Sequence, residues 1–424
     1  MVHTVGQAVD PAQTDPQQAR GADGAAEEPD KQVSWAELFF DLVYVFAITE
    51  VSSLLLADHG WAGVGRALIV FIPAYWTWTA TSVHANRQDV ENVPDRIGIF
   101  AVALSALFIG LAIPGAFGDR GLLYGGAYWV ARLVLQALAL RWQDLRLNSF
   151  LIAAVVTGPL MLAGGLAEGN ARIALWATAA LIDTLAPQLL RRRTTTHFHS
   201  GHLPERFGLF LIVALGESII AIGSPATGTT SISEAVLATV AAAFVLSAAL
   251  WWVYFAFAAN ALQFAVAAAD RQFDMVRHIL SYAHLGLISA VIATAVGLHE
   301  AVAHPGQRLG LGVAALLYGG CGLFLAVFAY TRWRMFRLWS VTRLTAAAAV
   351  LVSLPLATRL PALGAVAWLA GLIVALDVVE WYRMRRAASR AGTEDGADAA
   401  AAATVGEQRD APETEAQIRM ETEA

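Results

Sequence analysis

The sequence predicts an all-α, polytopic membrane protein of about twelve transmembrane helices, and three observations carry that expectation. The 424 residues are 57% hydrophobic and only 15% charged, with a mean hydropathy of +0.55, whereas a soluble chain carries about a quarter charged residues. Apolar runs of about 18 or more residues recur from Trp35 to Tyr382, each long enough to cross a hydrocarbon core of about 30 Å at about 1.5 Å per residue. Arginine collects in alternate short loops, the pattern of a chain threaded repeatedly through a bilayer. In lipid the backbone must satisfy its own hydrogen bonds within each helix.

The spans fall at 35–57, 62–83, 95–116, 121–141, 147–167 and 171–190, then at 203–223, 233–259, 273–298, 308–331, 338–358 and 362–382. Polar or Gly/Pro breaks separate them, among them Asp58-His59-Gly60, Val93-Pro94-Asp95 and His304-Pro305-Gly306. Residues 1–33 and 387–424 have no apolar period and read as disordered tails, the second acidic. The first lacks the basic and apolar regions of a signal peptide. The net charge of −6 resides mostly in these tails, so it says nothing about partners. Cys321 is the only cysteine and lies in an apolar run, which excludes an intramolecular disulfide or a thiolate cluster. Lys31 is the sole lysine among 28 basic residues and alanine is abundant, a bias that points to a high-GC bacterial genome and a bacterial plasma membrane.

Orientation follows the arginines. Arg141 and Arg146, Arg191-Arg192-Arg193, Arg332, Arg334, Arg337 and Arg343, then Arg383, Arg385, Arg386 and Arg390 all follow even-numbered spans, while odd loops hold isolated arginines. Both termini are therefore expected in the cytoplasm. The chain also reads as two parallel six-helix units, 34–200 and 201–386. Glu37-Leu38-Phe39-Phe40 and Glu205-Arg206-Phe207-Gly208 open the first and seventh spans, Trp78 and Asn86 have the separation of Trp252 and Asn260, and Asp95-Arg96 matches Asp270-Arg271 in order.

Intramembrane charge supplies the candidate site. The first span holds three carboxylates, Glu37, Asp41 and Glu50, each carrying a penalty of about 2.5 kcal/mol or more if ionised at mid-membrane. Glu37, Asp41 and Tyr44 share one helix face, and Glu50, next to Thr49, points the other way. Glu37 also suits the positive end of the helix dipole. Glu217 stands in the apolar seventh span after Gly216, whose missing side chain would admit another backbone or a ligand. By the repeat it matches Thr49-Glu50 in depth. Asp41, Glu50 and Glu217 are thus candidates for binding a cation, a proton or a substrate, with a structural role for Glu217 as the alternative.

Arg132 lies mid-span and keeps its proton, so it needs an acceptor. By helical rise Asp41 is its best-matched partner in depth. His84, Asp183, His284, Glu300 and Asp377 are further polar residues in or near spans, the histidines more simply structural than proton relays. The loop His197-Phe198-His199-Ser200-Gly201-His202 lacks the carboxylate or thiolate support of a metal site. No Walker A loop, nucleophile elbow or H-E-x-x-H helix appears, so no cofactor, no nucleic acid and no enzymatic activity is expected.

The stretches E-L-F-F-D-L-V-Y-V-F-A-I-T from Glu37 to Thr49 and E-R-F-G-L-F-L-I-V-A-L-G-E-S from Glu205 to Ser218 resemble the bacterial low temperature requirement protein A family, supported by Tyr128 through Arg132, Ala112 through Phe117, and Ser281 through His284. The resemblance covers about residues 34–385 and implies a multi-pass membrane protein without a settled biochemical activity. It brings Glu37, Tyr44, Thr49, Arg132, Glu205, Arg206 and His284 alongside the three acids as supporting residues. F-x-D-x-V-Y-x-x-A-I-T from Phe39 is also similar to the first helix of the Phe-Ser-Asp-motif potassium channels, although Phe40 replaces their serine and Gly208-Leu209 replaces any second Ser-Asp. The leading expectation is transport of a small solute or ion within the lipid bilayer. A cation channel and a non-transporting sensor of membrane state are the alternatives.

Overall fold

The computed structural model describes residues 31–141, 148–190, 198–227, 232–256, 259–269 and 272–386. Most of both expected tails, Arg146, Arg191 through Arg193, His197, Asp270-Arg271 and Arg390 lie outside the described residues, as does the side chain of Asn260.

The chain is all-α among these residues. The long helices are α1 (Trp35–Ala57), α2 (Trp61–Arg87), α3 (Val93–Ala112), α4 (Gly121–Ala139), α5 (Ser149–Leu166) and α6 (Gly169–Leu189), followed by α7 (His202–Thr227), α8 (Glu234–Phe255), α9 (Gln272–Ala303), α10 (Leu311–Phe336), α11 (Val341–Val352) and α12 (Ala362–Arg386). A short helix, Ala259–Ala267, lies between α8 and α9. Nine of these are long and apolar enough to cross a membrane; α2, α6 and α11 are not among them. In α2 the reason is its interior place. From Val70 to Asn86 most of this helix is buried, so threonine, serine, histidine and asparagine find protein partners there and apolar composition is not required. In α6 it is the polar load of Arg172, Asp183 and Gln188, and α11 is only 12 residues long.

Local chemistry sets the helix starts. Ser34 and Glu37 form a capping box at α1: the Ser34 backbone N–H donates to Glu37 Oε2 at 2.9 Å and the Glu37 N–H to Ser34 Oγ at 3.4 Å. Asn92, Asn148 and Ser233 cap α3, α5 and α8 in the simpler way, each accepting one backbone N–H. Lys31 donates to the carbonyls of Ala85 and Gln88, tying the chain before α1 to the C-terminal end of α2. Burial holds this lysine below its usual pKa, partly offset by Glu37, Asp89 and Asp95.

Two helices carry π-helical turns, Ala153–Thr157 in α5 and Val276–Tyr282 in α9. The widened turns release carbonyls for side chains of neighbouring helices. Ala154 O accepts from Trp129 Nε1 at 2.8 Å, and Ser281 O from Tyr75 Oη at 2.6 Å.

Packing follows one plan twice. In the first six helices α1 packs on α2 and α3, α3 on α4, and α4 on α5; in the second six, α7 packs on α8 and α9, α9 on α10, and α10 on α11. The two sets meet where α1 lies against α7 and α9, and α2 against α7. Contacts come in the same order along α1 and α7, Glu37 with Arg206 and then Thr49 with Glu217, so these two helices run parallel. Between those contacts a buried aromatic cluster fills the interface. Trp78 stacks on Phe210 at 3.9 Å between centroids, with Phe207 edge-on at 4.9 Å and Tyr44 against Phe40 at 5.0 Å.

Candidate functional site

The acids of α1 fall into two layers. The first is built around Arg206, which α7 presents into the bundle one turn from its start and which is fully buried. Its Nη2 donates to Asp41 Oδ1 at 2.9 Å and its Nη1 lies 3.1 Å from Glu37 Oε1. Trp78 Nε1 adds a second donor to Asp41 Oδ1 at 2.7 Å. His202 Nε2 stands 3.1 Å from Glu37 Oε1, while its Nδ1 faces the Asn86 amide at 3.2 Å. With Asn86 Nδ2 donating to Nδ1, the pattern assigns the imidazole proton to Nε2, which donates to Glu37. Glu37 is therefore both the capping acid of α1 and a partner of α7. Asp41 Oδ2 and Arg206 Nε are left without hydrogen-bond partners.

The second layer lies about 18 Å further along α1 by helical rise. Thr49 Oγ1 donates to Glu217 Oε2 at 2.5 Å. The Ser52 hydroxyl adjoins the same carboxylate without completing a hydrogen bond of its own. Glu217 is 4% exposed and has no ion pair among the described residues. Glu50 is half-buried, likewise without an ion pair there. The expectation that Gly216 lets a backbone approach is not met, because nothing lies within 4 Å of where its Cβ would stand.

Other expected residues are placed elsewhere. Arg132 is not the partner of Asp41. Its Nη2 donates to Asp183 Oδ2 at 2.8 Å and its Nη1 to the Trp76 carbonyl at 3.2 Å. Asp183 is further held by the Tyr128 hydroxyl and by Thr157 Oγ1 at 2.9 Å. Depth alone did not separate the two aspartates; α6 packs on α5 and α2 beside α4, and that azimuth brings Asp183 to the guanidinium. Glu205 is exposed, about 100° round α7 from the buried Arg206, and takes no part in either layer. His284 is buried between the Tyr254 hydroxyl, 2.9 Å from Nε2, and the Leu280 carbonyl, 2.9 Å from Nδ1, a fully satisfied structural histidine. The Tyr44 hydroxyl donates to Ala74 O at 3.3 Å.

Two members of the first layer were hidden by their sequence context. His202 reads as part of a histidine-bearing loop but is the first residue of α7. Trp78 reads as a repeat marker, yet it is the indole donor to Asp41. Among the described residues no group of three or more His, Cys, Asp or Glu side chains is arranged to hold a metal ion.

A bundle of long apolar helices with a buried ion-pair layer and a deeper unpaired carboxylate defines a polytopic α-helical membrane protein. The chain belongs to the bacterial low temperature requirement A protein (LtrA) family, which it matches over residues 32–378. An uncharacterized protein of Rhizobium meliloti (strain 1021) is similar to it, 29% identical over 310 residues, which are 70% of this chain and 76% of that protein. No solved structure matches the chain.

Proposed function

We propose that this protein moves a proton or a small monovalent cation across a bacterial plasma membrane, with both termini cytoplasmic, and that Glu217 is the carboxylate that binds it. The observation that supports this reading is the contrast between the two layers. Glu37 and Asp41 share Arg206, whereas Glu217 has hydroxyl neighbours, Thr49 donating to it and Ser52 adjoining it, and no cationic partner among the described residues. An intramembrane acid held by hydroxyl groups and no base retains its capacity for a mobile positive charge. Glu50 and Ser52 beside it supply further oxygens. Asp41 serves in this reading as an anchor for Arg206. The same neighbour plan in both six-helix sets supports two parallel units.

The test is flux into proteoliposomes, read with a pH-sensitive dye and with cation-selective electrodes, for the parent and for Glu217→Gln. The parent is expected to pass protons or one monovalent cation, and Glu217→Gln to lower the rate at least tenfold while eluting as the same monodisperse species. Unchanged flux in Glu217→Gln would reject the assignment. No flux in the parent, with Glu217→Gln as stable as the parent, would favour a sensor of membrane state.

A further inference from the structure

The last described helix carries two acids on its buried face, and only one is compensated. Glu380 receives Arg343 Nε on Oε1 and Arg343 Nη2 on Oε2, each at 2.8 Å, a bidentate pair that uses both carboxylate oxygens. The Arg343 guanidinium also lies 5.2 Å from the centre of the Phe328 ring. Asp377 sits one turn earlier in α12, 8% exposed, and its Oδ1 has no hydrogen-bond partner. It has no ion pair among the described residues.

Among the described residues the helices around it bring no second cation against its carboxylate, Arg332 and Arg334 following Thr331 at the end of α10. From α11 only Arg343 faces the pair, and Glu380 already holds it. α10, joined to α12 by the Tyr318 hydroxyl donating to Ala365 O at 2.7 Å, has no charged residue from Leu311 to Thr331. Its titratable groups there are Tyr318, Cys321 and Tyr330. Cys321 is buried against Thr294, and Tyr330 faces His278 at 3.4 Å. The buried group is therefore two carboxylates and one guanidinium, one positive charge short.

The sixth helix of the first set shows what compensation looks like. Asp183, late in α6 as Asp377 is late in α12, has Arg132, Thr157 and Tyr128 on its two oxygens. The fourth helix of the second set offers no arginine at that place.

We propose that Asp377 is a proton-binding site, a carboxyl that holds its hydrogen inside the folded protein beside the Arg343–Glu380 pair. A proton restores neutrality without asking for ligands. A metal cation would need several oxygen ligands, and with both Glu380 oxygens taken by Arg343 the Asp377 carboxylate is left alone to supply them among the described residues. This inference rests on charge balance in α11 and α12 and is independent of the transport reading at Glu217.

The full-length protein in detergent tests it through the stability of Asp377→Asn, the neutral isostere, from pH 5 to 8.5. If the folded parent holds a proton that the unfolded chain releases, the parent loses stability as pH rises above the ordinary carboxylate range, by up to about tenfold in its folding equilibrium per pH unit. Asp377→Asn should then match the parent near pH 5 and exceed it in melting temperature by a margin that grows toward pH 8.5. An Asp377→Asn variant less stable than the parent at pH 8 would show an ionised acid held by Arg343 and overturn the proposal, as would a difference that does not change with pH. A second readout is mass mapping after reaction with a hydrophobic carbodiimide, which adds a protonated carboxyl across its C=N bond. An adduct on Asp377 at pH 7 that fades as pH is raised supports the proton. Protection by sodium or potassium at fixed pH would assign a metal cation and overturn it.

Discussion

Charge pairing inside this bundle is decided by angle as much as by depth. Arg132 and Asp183 form a buried pair whose remaining hydrogen bonds come from Tyr128, Thr157 and the Trp76 carbonyl. Removing either charge alone leaves the other in a site where water cannot reach it, at a cost of about 3–5 kcal/mol. Asp183→Asn and Arg132→Gln should each lower the unfolding midpoint in detergent, and the double variant should recover a substantial part of the loss. Additive losses, or coupling of Arg132→Gln to Asp41→Asn instead, would contradict the observed geometry. The sequence made clear that Arg132 needed an acid, since a guanidinium does not shed its proton. It did not single out Asp183, because helical rise puts both aspartates within a turn of the same depth and says nothing about which helices are neighbours. The Arg206 pairing was unreadable for a different reason: Glu205 and Arg206 both stood among the supporting residues, and the sequence does not say which of two adjacent charges α7 buries.

Helices α4 and α5 show how close backbone approach shapes this membrane fold. A Cβ at Gly125 would stand 2.2 Å from the Met161 carbonyl oxygen, and one at Gly165 would stand 2.6 Å from that of Gly121. Small residues let the two backbones touch, which replaces the hydrophobic driving force that lipid does not supply. Gly125→Leu should force the helices apart and destabilise by about 1–3 kcal/mol or more. Gly126→Leu serves as its control, because the nearest atom to a Cβ there is a Leu162 side-chain carbon at 3.9 Å. Comparable melting of the two variants would mean that α4 and α5 do not meet as described. Element positions were legible in the sequence from apolar run length, and α1, α3 and α4 fall within a few residues of expectation. The π-helical turns of α5 and α9 were not legible, since their driving force is the set of partners waiting for the freed carbonyls. The end of α8 at Phe255 was also obscured, because the apolar run continues past it into the short helix.

At the scale of the whole molecule the alternation of arginines makes a directional statement. With Cys321 replaced by Ser, a single cysteine at Asp89, in the exposed turn between α2 and α3, should react with a membrane-impermeant maleimide only from the cytoplasmic side. One at Gln307, exposed between α9 and α10, should react only from outside. Reaction of both from one side would reject the threading, and reversal of the two would invert it. The polytopic helical class was legible because a crossing needs its own apolar length, but the count of about twelve was not: nine of the described helices meet that length and composition, and α2, α6 and α11 do not. The division of α1 into an ion-paired layer and an unpaired one was not, because it depends on a helix about 165 residues away in the chain, whose arginine reaches Glu37 and Asp41.

The parallel contact of α1 with α7 is unequal along its length. At one end Arg206 clamps two carboxylates, while at the other a single hydroxyl bridges to Glu217. Separating the first end exposes uncompensated charge and costs several kcal/mol, whereas separating the second breaks one hydrogen bond, worth about 0.5–3 kcal/mol. The pair is therefore a lever with its fulcrum at Arg206 and an arm of about 17 Å by helical rise. Tilting one six-helix set against the other by about 10° about that fulcrum opens the Thr49–Glu217 end by roughly 3 Å, about the width of a water molecule. Any rocking of the two sets about that fulcrum would therefore open first at the Thr49–Glu217 contact, the carboxylate proposed above as the proton or cation site.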